Sequence, residues 1–218
     1  MPQAVIFDMD GLMFDTERPS IAYWKEALAE QGFVLTDAMA SRIRGRNEEG
    51  IRQAAYGMFG PGLDYDRAQA AQRARMARMD TDGLLRVKPG LPELLAWLKA
   101  HSIPRAVASS SRRVTVEGHL RTAGLQNAFD AVVTGDEVAR SKPDPEIFLR
   151  AAAALSAPPA ACLVLEDSPN GVRAGAAGGF VTVMVPDMDP PTPELADLYT
   201  ACARDLHEVL AWLREGKL

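Results

Sequence analysis

Five short runs of apolar, β-favouring residues punctuate the chain: AVIFD (4–8), RAVASS (105–110), AVVTG (131–135), CLVLED (162–167) and VTVMVP (181–186). Each is continuous rather than alternating, which suits strands buried on both faces of a parallel sheet. Between these runs the apolar residues recur at helical spacing. PGLPELLAWLKAH (89–101) places Leu94, Leu95 and Leu98 on one stripe, and RVTVEGHLRTAG closes on Gly124 as a C′ glycine. DPEIFLRAAAAL opens on an N-cap Asp144 followed by Pro145 and Glu146, and SPNGVRAGAAGG repeats that opening with Ser168 ahead of Pro169. Strands alternating with helices predict an α/β fold built on a doubly wound, Rossmann-like parallel sheet.

The alternation fails between the first run and the second. Residues 16–86 hold only helical patterns, among them SIAYWKEALAEQG, with Trp24, Ala27 and Leu28 as its apolar stripe, and YDRAQAAQRARMARM. About 70 residues of helix exceed what a crossover needs and match a small helical unit of its own. The expected organisation is an α/β core domain from 1–15 and 87–218, with a helical cap domain, 16–86, inserted through linkers near 14–18 and 84–89. Pro89-Gly90 supplies a turn at the second border, and DPPTP near 190 reads as loop.

Composition narrows the class. With 218 residues, 47% hydrophobic and 24% charged, the chain can bury a full core as an ordinary globular protein. A net charge of −5 without a basic stripe argues against a nucleic-acid partner, and the arginines of 67–78 read as a solvated helix face. Cys162 and Cys202 stand alone, with no Cys-x-x-Cys, which argues against a disulfide framework or a zinc site. No apolar run approaches the ~18 residues of a membrane span, and an acidic motif at residue 8 comes too early for a signal peptide. The expectation is a cytoplasmic protein without a membrane partner, and a monomer, since no feature calls for an oligomer.

The chemistry collects where doubly wound sheets bind ligands, beyond the carboxyl ends of the strands. The first run enters Asp8-Met9-Asp10-Gly11 and the second ends in Ser109-Ser110-Ser111. Ser141-Lys142-Pro143 follows the third, and Glu166-Asp167-Ser168 closes the fourth. Taken singly these are bland: an Asp-x-Asp in a turn, a polar serine loop, a surface lysine, acids capping a helix. Gathered at one sheet edge they make a site. An acid inside an apolar strand costs several kcal/mol unless a charge or hydrogen bond meets it. Clustered carboxylates raise one another's pKa, and a hard cation with oxygen ligands, Mg²⁺, is their natural neutraliser. Lys142, the Ser109 hydroxyl and backbone N–H groups after Asp8 suit the oxygens of a phosphate. A carboxylate in line with phosphorus can attack it, and a second acid two residues on can protonate the leaving oxygen and then activate water.

DMDGLMFDTE (8–17), VASSS (107–111), SKPDPEIF (141–148) and LEDSPNG (165–171), in that order, resemble the haloacid dehalogenase-like phosphatases. The likeness is to the branch containing β-phosphoglucomutase and small sugar-phosphate phosphatases, and it spans nearly the whole chain. It implies Asp8 as nucleophile and metal ligand, Asp10 as general acid/base and metal ligand through its backbone carbonyl, and Asp167 as metal ligand supported by Glu166. Ser109 and Lys142 would hold the transferring phosphoryl group. Gly45, Arg46 and Asn47 in the cap, with Ser110, Ser111, Arg112 and Asn170 in the core, are the expected substrate contacts.

Mutases of that branch carry a His in the first cap helix and an Arg in the cap loop, where this chain has Ser20 and Glu48. Hydrolysis is therefore the expected reaction: a Mg²⁺-dependent phosphomonoesterase acting on a small phosphorylated metabolite, a sugar phosphate, through an aspartyl-phosphate. A phosphosugar mutase and a non-catalytic phosphometabolite-binding protein stay open as alternatives. Asp15 and Glu17 read as structural or hinge residues. His101, His119 and His207 read as surface or packing residues away from the strand ends.

Overall fold

Apart from residue 80, the computed structural model describes residues 1–218. A six-stranded parallel sheet forms from β1 (Ala4–Phe7), β2 (Arg105–Ser109), β3 (Ala131–Thr134), β4 (Cys162–Glu166), β5 (Val181–Met184) and β6 (Ala201–Cys202). Their spatial order is β3-β2-β1-β4-β5-β6, so the chain reverses its direction of winding at β1. The five apolar runs supply β1 to β5. The sixth strand, two residues long, has no apolar run of its own and takes its place from pairing with Val183 and Met184.

Alternation along β1 explains how one continuous apolar run serves two layers. Val5 and Phe7 face a cluster completed by α5 (Leu91–Ala100), α6 (Arg113–Thr122) and α9 (Leu206–Arg214). Ala4 and Ile6 face the opposite cluster with Ile147, Phe148, Ala151 and Ala152 of α7 (Glu146–Ala154) and Ala174 of α8 (Pro169–Ala177). Side chains two apart share a face, so a strand buried on both sides must be apolar throughout. Leu94, Leu95 and Leu98 are buried as the stripe predicts. Gly124 is the C′ residue of α6, with φ +70. At α7 the observed cap residue is Pro145, one later than expected, and Asp144 accepts the Glu146 N–H at 3.0 Å.

Between β1 and α5 the chain forms α1 (Glu17–Ala29), α2 (Asp37–Ala40), α3 (Glu48–Phe59) and α4 (Tyr65–Thr81). These helices share a separate apolar cluster that includes Ile21, Trp24, Ala27, Leu28, Ile43 and Tyr65. Trp24 stacks on Tyr65 with ring centroids 5.7 Å apart. The segment leaves and rejoins the sheet side by side: Phe14 and Val87 form an antiparallel bridge, the Asp15 N–H donates to the Arg86 carbonyl, and the Lys88 N–H donates to that of Met13. Among the described residues no helix is long and apolar enough to cross a membrane, and both cysteines are free.

Candidate active site

The residues beyond β1, β2 and β4 close around one cavity of about 480 Å³ that the helical segment roofs. Asp8 continues β1, its N–H donating to the Leu165 carbonyl at 3.0 Å, so the sheet itself fixes the carboxylate. Lys142 reaches in from the segment before α7 with its side chain almost wholly buried. Its Nζ donates to Asp8 Oδ1 at 2.5 Å, Glu166 Oε1 at 2.7 Å and the Ala108 carbonyl at 3.2 Å. Burial works against the ammonium, but Asp8 and Glu166 outweigh it and hold the lysine above its ordinary range. Lys142 therefore stays charged.

One ammonium does not balance what surrounds it. Asp8, Glu166 and Asp167 each present an oxygen within 4.8 Å of the others, and all three are buried. Burial pushes Asp8 up to about 8, helped by Glu166 and Asp10 and opposed by Lys142. Asp167 is raised well above the usual carboxylate range by burial, Glu166, Asp8 and Glu17. Such a set of clustered oxygens fits a hard divalent cation. Two glycines make the packing possible. A Cβ at Gly11 would collide with the Asp167 carboxylate, and φ there is +85; a Cβ at Gly171 would collide with the Glu166 carboxylate. Glu166 Oε2 also accepts from the Ser168 N–H and hydroxyl at 2.8 and 3.0 Å, locking the acid in place.

Asp10 is held differently. Its Oδ1 accepts from the Thr16 hydroxyl at 2.7 Å; its Oδ2 accepts from Ser111 at 2.7 Å and Ser109 at 3.2 Å. Thr16 stands at the N-cap of α1, yet its side chain makes no capping bond and turns to Asp10 instead. Ser109 is fully buried and outside the cavity wall, its hydroxyl engaged by Asp10 and the Ser111 N–H.

The remaining expected contacts divide. Gly45, Arg46, Asn47, Ser110, Ser111 and Arg112 line the cavity. Asn170 does not; its Cβ lies 4.0 Å from where a Cβ on Gly45 would be, beneath the cap loop. Asn47 caps α3 by accepting the Gly50 N–H at 3.0 Å. Sequence reasoning passed over several wall residues. Glu17, set aside as structural, faces the cavity, and burial with Asp10 and Asp8 nearby pushes it up to about 8. Gln69 and Gln72, read within a solvated helix face, are buried at the roof; Gln72 Nε2 donates to Ser20 at 3.2 Å. Glu48 accepts from Arg73 at 2.5 Å. His119 is buried, lines the cavity and meets Phe14 edge-on, rather than lying at a distance.

A doubly wound sheet with its acids at the winding reversal defines a class of ligand-binding α/β proteins, and the comparisons narrow it. Residues 2–179 match the haloacid dehalogenase-like hydrolase family, and the chain belongs to that family. The phosphorylated carbohydrates phosphatase of Thermotoga maritima is 32% identical over 180 residues, 82% of each chain. β-Phosphoglucomutase of Bacillus subtilis (strain 168) is 33% identical over 195 residues, 86% of this chain and 85% of its own. The structure of CbbY from Rhodobacter sphaeroides in complex with phosphate covers 96% of each chain at a TM-score of 0.82 and 26% identity.

Proposed function

We propose that the protein is a Mg²⁺-dependent phosphomonoesterase of a small phosphorylated metabolite, a sugar phosphate, working through an aspartyl-phosphate. The observation that carries this reading is Asp8, fixed by the sheet, paired with a buried lysine and grouped with Glu166 and Asp167 at one cavity. Residues 1–15 and 87–218 act as the core domain, and residues 16–86 as the cap that excludes water from the site.

Asp8 uses Oδ2, since Lys142 takes Oδ1. It attacks phosphorus while the bond from phosphorus to the leaving oxygen breaks, and Asp10 gives that oxygen a proton. Asp10, ionised again, takes a proton from water as the water attacks the same phosphorus. The Asp8–phosphorus bond then breaks, releasing inorganic phosphate. The Thr16, Ser109 and Ser111 hydroxyls aim the Asp10 carboxyl. Lys142 keeps a positive charge beside the atoms where negative charge develops. Mg²⁺ held by Asp8 and Asp167, with Glu166 in support and the Asp10 carbonyl as a further ligand, would supply charge neutralisation of the phosphoryl oxygens.

The relationship to a β-phosphoglucomutase keeps phosphoryl transfer back to a sugar as a second reading. Ser20 bound to Gln72, and Glu48 paired with Arg73, favour hydrolysis, because neither position offers the His or Arg of the mutase pattern. The test is phosphate release from sugar phosphates, nucleotides and short-chain phosphoesters, with Mg²⁺ and with chelator. Metal-dependent release that Asp8→Asn abolishes supports the hydrolase. Conversion of β-glucose 1-phosphate to the 6-phosphate without release would assign the mutase. No turnover of any phosphate ester would refute both.

A further inference from the structure

Loop 186–191, Pro-Asp-Met-Asp-Pro-Pro, leaves β5 and meets the helical segment at two places. Three prolines at 186, 190 and 191 limit its backbone freedom. Asp187, whose side chain is 3% exposed, accepts from Arg18 at 2.7 Å and Lys88 at 2.8 Å. Arg18 lies in the first turn of α1, where the helical segment begins, and Lys88 follows the Val87 bridge residue, where it ends. One buried carboxylate thus ties together both crossings between the sheet and its insert. Asp189, two residues on, accepts from Arg44: Nε reaches Oδ2 at 2.9 Å, and Nη2 pairs with Oδ1. The pair spans 145 positions of sequence, with the two side chains only 10% and 20% exposed.

Arg44 adjoins a close approach between roof and site. Gly45 has φ +65, and a Cβ there would stand 3.1 Å from the Ser168 hydroxyl. Ser168 in turn donates to Glu166 and caps α8 by accepting the Gly171 N–H at 3.1 Å. The left-handed turn at Gly45 brings the cap-loop backbone down onto the wall that carries the acids. A two-bond guanidinium–carboxylate fork fixes orientation as well as distance.

We propose that Asp189 is a positioning residue for the reaction: through Arg44 it seats the 44–47 loop against Ser168, while Asp187 braces the paired crossings about which that loop could lift. Neither acid reaches the reacting atoms. Their effect on turnover rests on the phosphatase reading above; their effect on the loop does not.

The full-length protein tests this by hydrogen exchange of the 41–50 segment together with phosphate-release kinetics, comparing wild type, Asp189→Asn and Asp189→Glu. Asp189→Asn should speed exchange in 41–50 about tenfold, the scale of one well-placed charge-assisted pair, and leave β4 at the wild-type rate. The kcat/KM for the best phosphate ester should fall about tenfold. Raising NaCl from about 50 to about 500 mM should cost wild type more than the variant, because wild type alone has this ion pair to screen. Asp189→Glu should recover part of both effects. Wild-type exchange in 41–50 of Asp189→Asn, or faster exchange spread evenly over the sheet, overturns the proposal. If wild type releases no phosphate, the phosphatase reading fails by itself and the exchange result still decides the positioning role.

Discussion

Lys142→Ala removes the only cation that contacts Asp8 and Glu166 in the described structure, and its consequences can be worked out from three distances. The Nζ donates at 2.5, 2.7 and 3.2 Å to two carboxylates and a carbonyl, and sits 4.7 Å from the centroid of the Phe148 ring. Breaking one side of a buried, hydrogen-bonded charge pair costs about 3–5 kcal/mol, because the remaining charges lose their partner without regaining water. Asp8 can escape by binding a proton. Lys142 lowers the pKa of Asp8, so its loss pushes that group above the value of about 8 it already has. The native variant therefore binds more protons than native wild type once pH nears 8, and the destabilisation grows from about pH 7 to about pH 9. Catalysis loses a preorganised charge as well, about 2–4 kcal/mol or roughly 30- to 1000-fold in kcat. The assay is urea unfolding at both pH values without metal, with phosphate release measured in Mg²⁺. Destabilisation under 1 kcal/mol at the higher pH, a larger loss at the lower pH, or an unchanged kcat would refute the reasoning.

Three further outcomes are expected. Asp8→Asn should abolish turnover while circular dichroism and the unfolding transition remain those of a folded protein; residual wild-type activity would remove Asp8 as nucleophile. Asp8 and Glu17 are both raised to about 8 and Asp167 is raised too, so the native state holds more protons than the unfolded chain between about pH 4 and pH 8. Metal-free stability should fall as pH climbs through that window, and saturating Mg²⁺ should flatten the fall; a metal-free stability that rises over the same range contradicts the burial of these acids. Gly171→Ala should destabilise by about 1–3 kcal/mol, since the added methyl must displace the Glu166 carboxylate; a thermal midpoint equal to wild type would show that Glu166 is free to move.

Much of the sheet was legible because parallel strands buried on both faces must be apolar throughout, and VIF in β1 or LVL in β4 has few other uses. The gathering of Asp8, Lys142, Glu166 and Asp167 in one place was equally legible, since each lies at or just beyond a strand end, or in a motif of recognisable spacing. What stayed hidden depends on the packing of elements remote in sequence. β6 is too short for a pattern and exists by pairing with β5. Gln69 and Gln72 look solvated beside arginines, and become roof residues only because α4 lies against α1. Ser109 was expected beside the phosphate, and its hydrogen bond to Asp10 at 3.2 Å is visible only in the folded turn after β2. Arg44 and Asp189 share no periodicity across 145 residues, and only the finished fold brings them together.

The bridge between Phe14 and Val87 has a bearing on ancestry and engineering. Residues opposite one another in an antiparallel pair have their Cα atoms about 4.5–5.5 Å apart. An insert that starts and stops within that span asks almost nothing of the sheet it interrupts, since the cost of closing a loop depends on its ends and only weakly on its length. The position after β1 is thus a socket. Helical inserts of different size and lining can be exchanged there while the strand ends keep their acids in register, so new specificities could arise by grafting, without redesign of the catalytic edge.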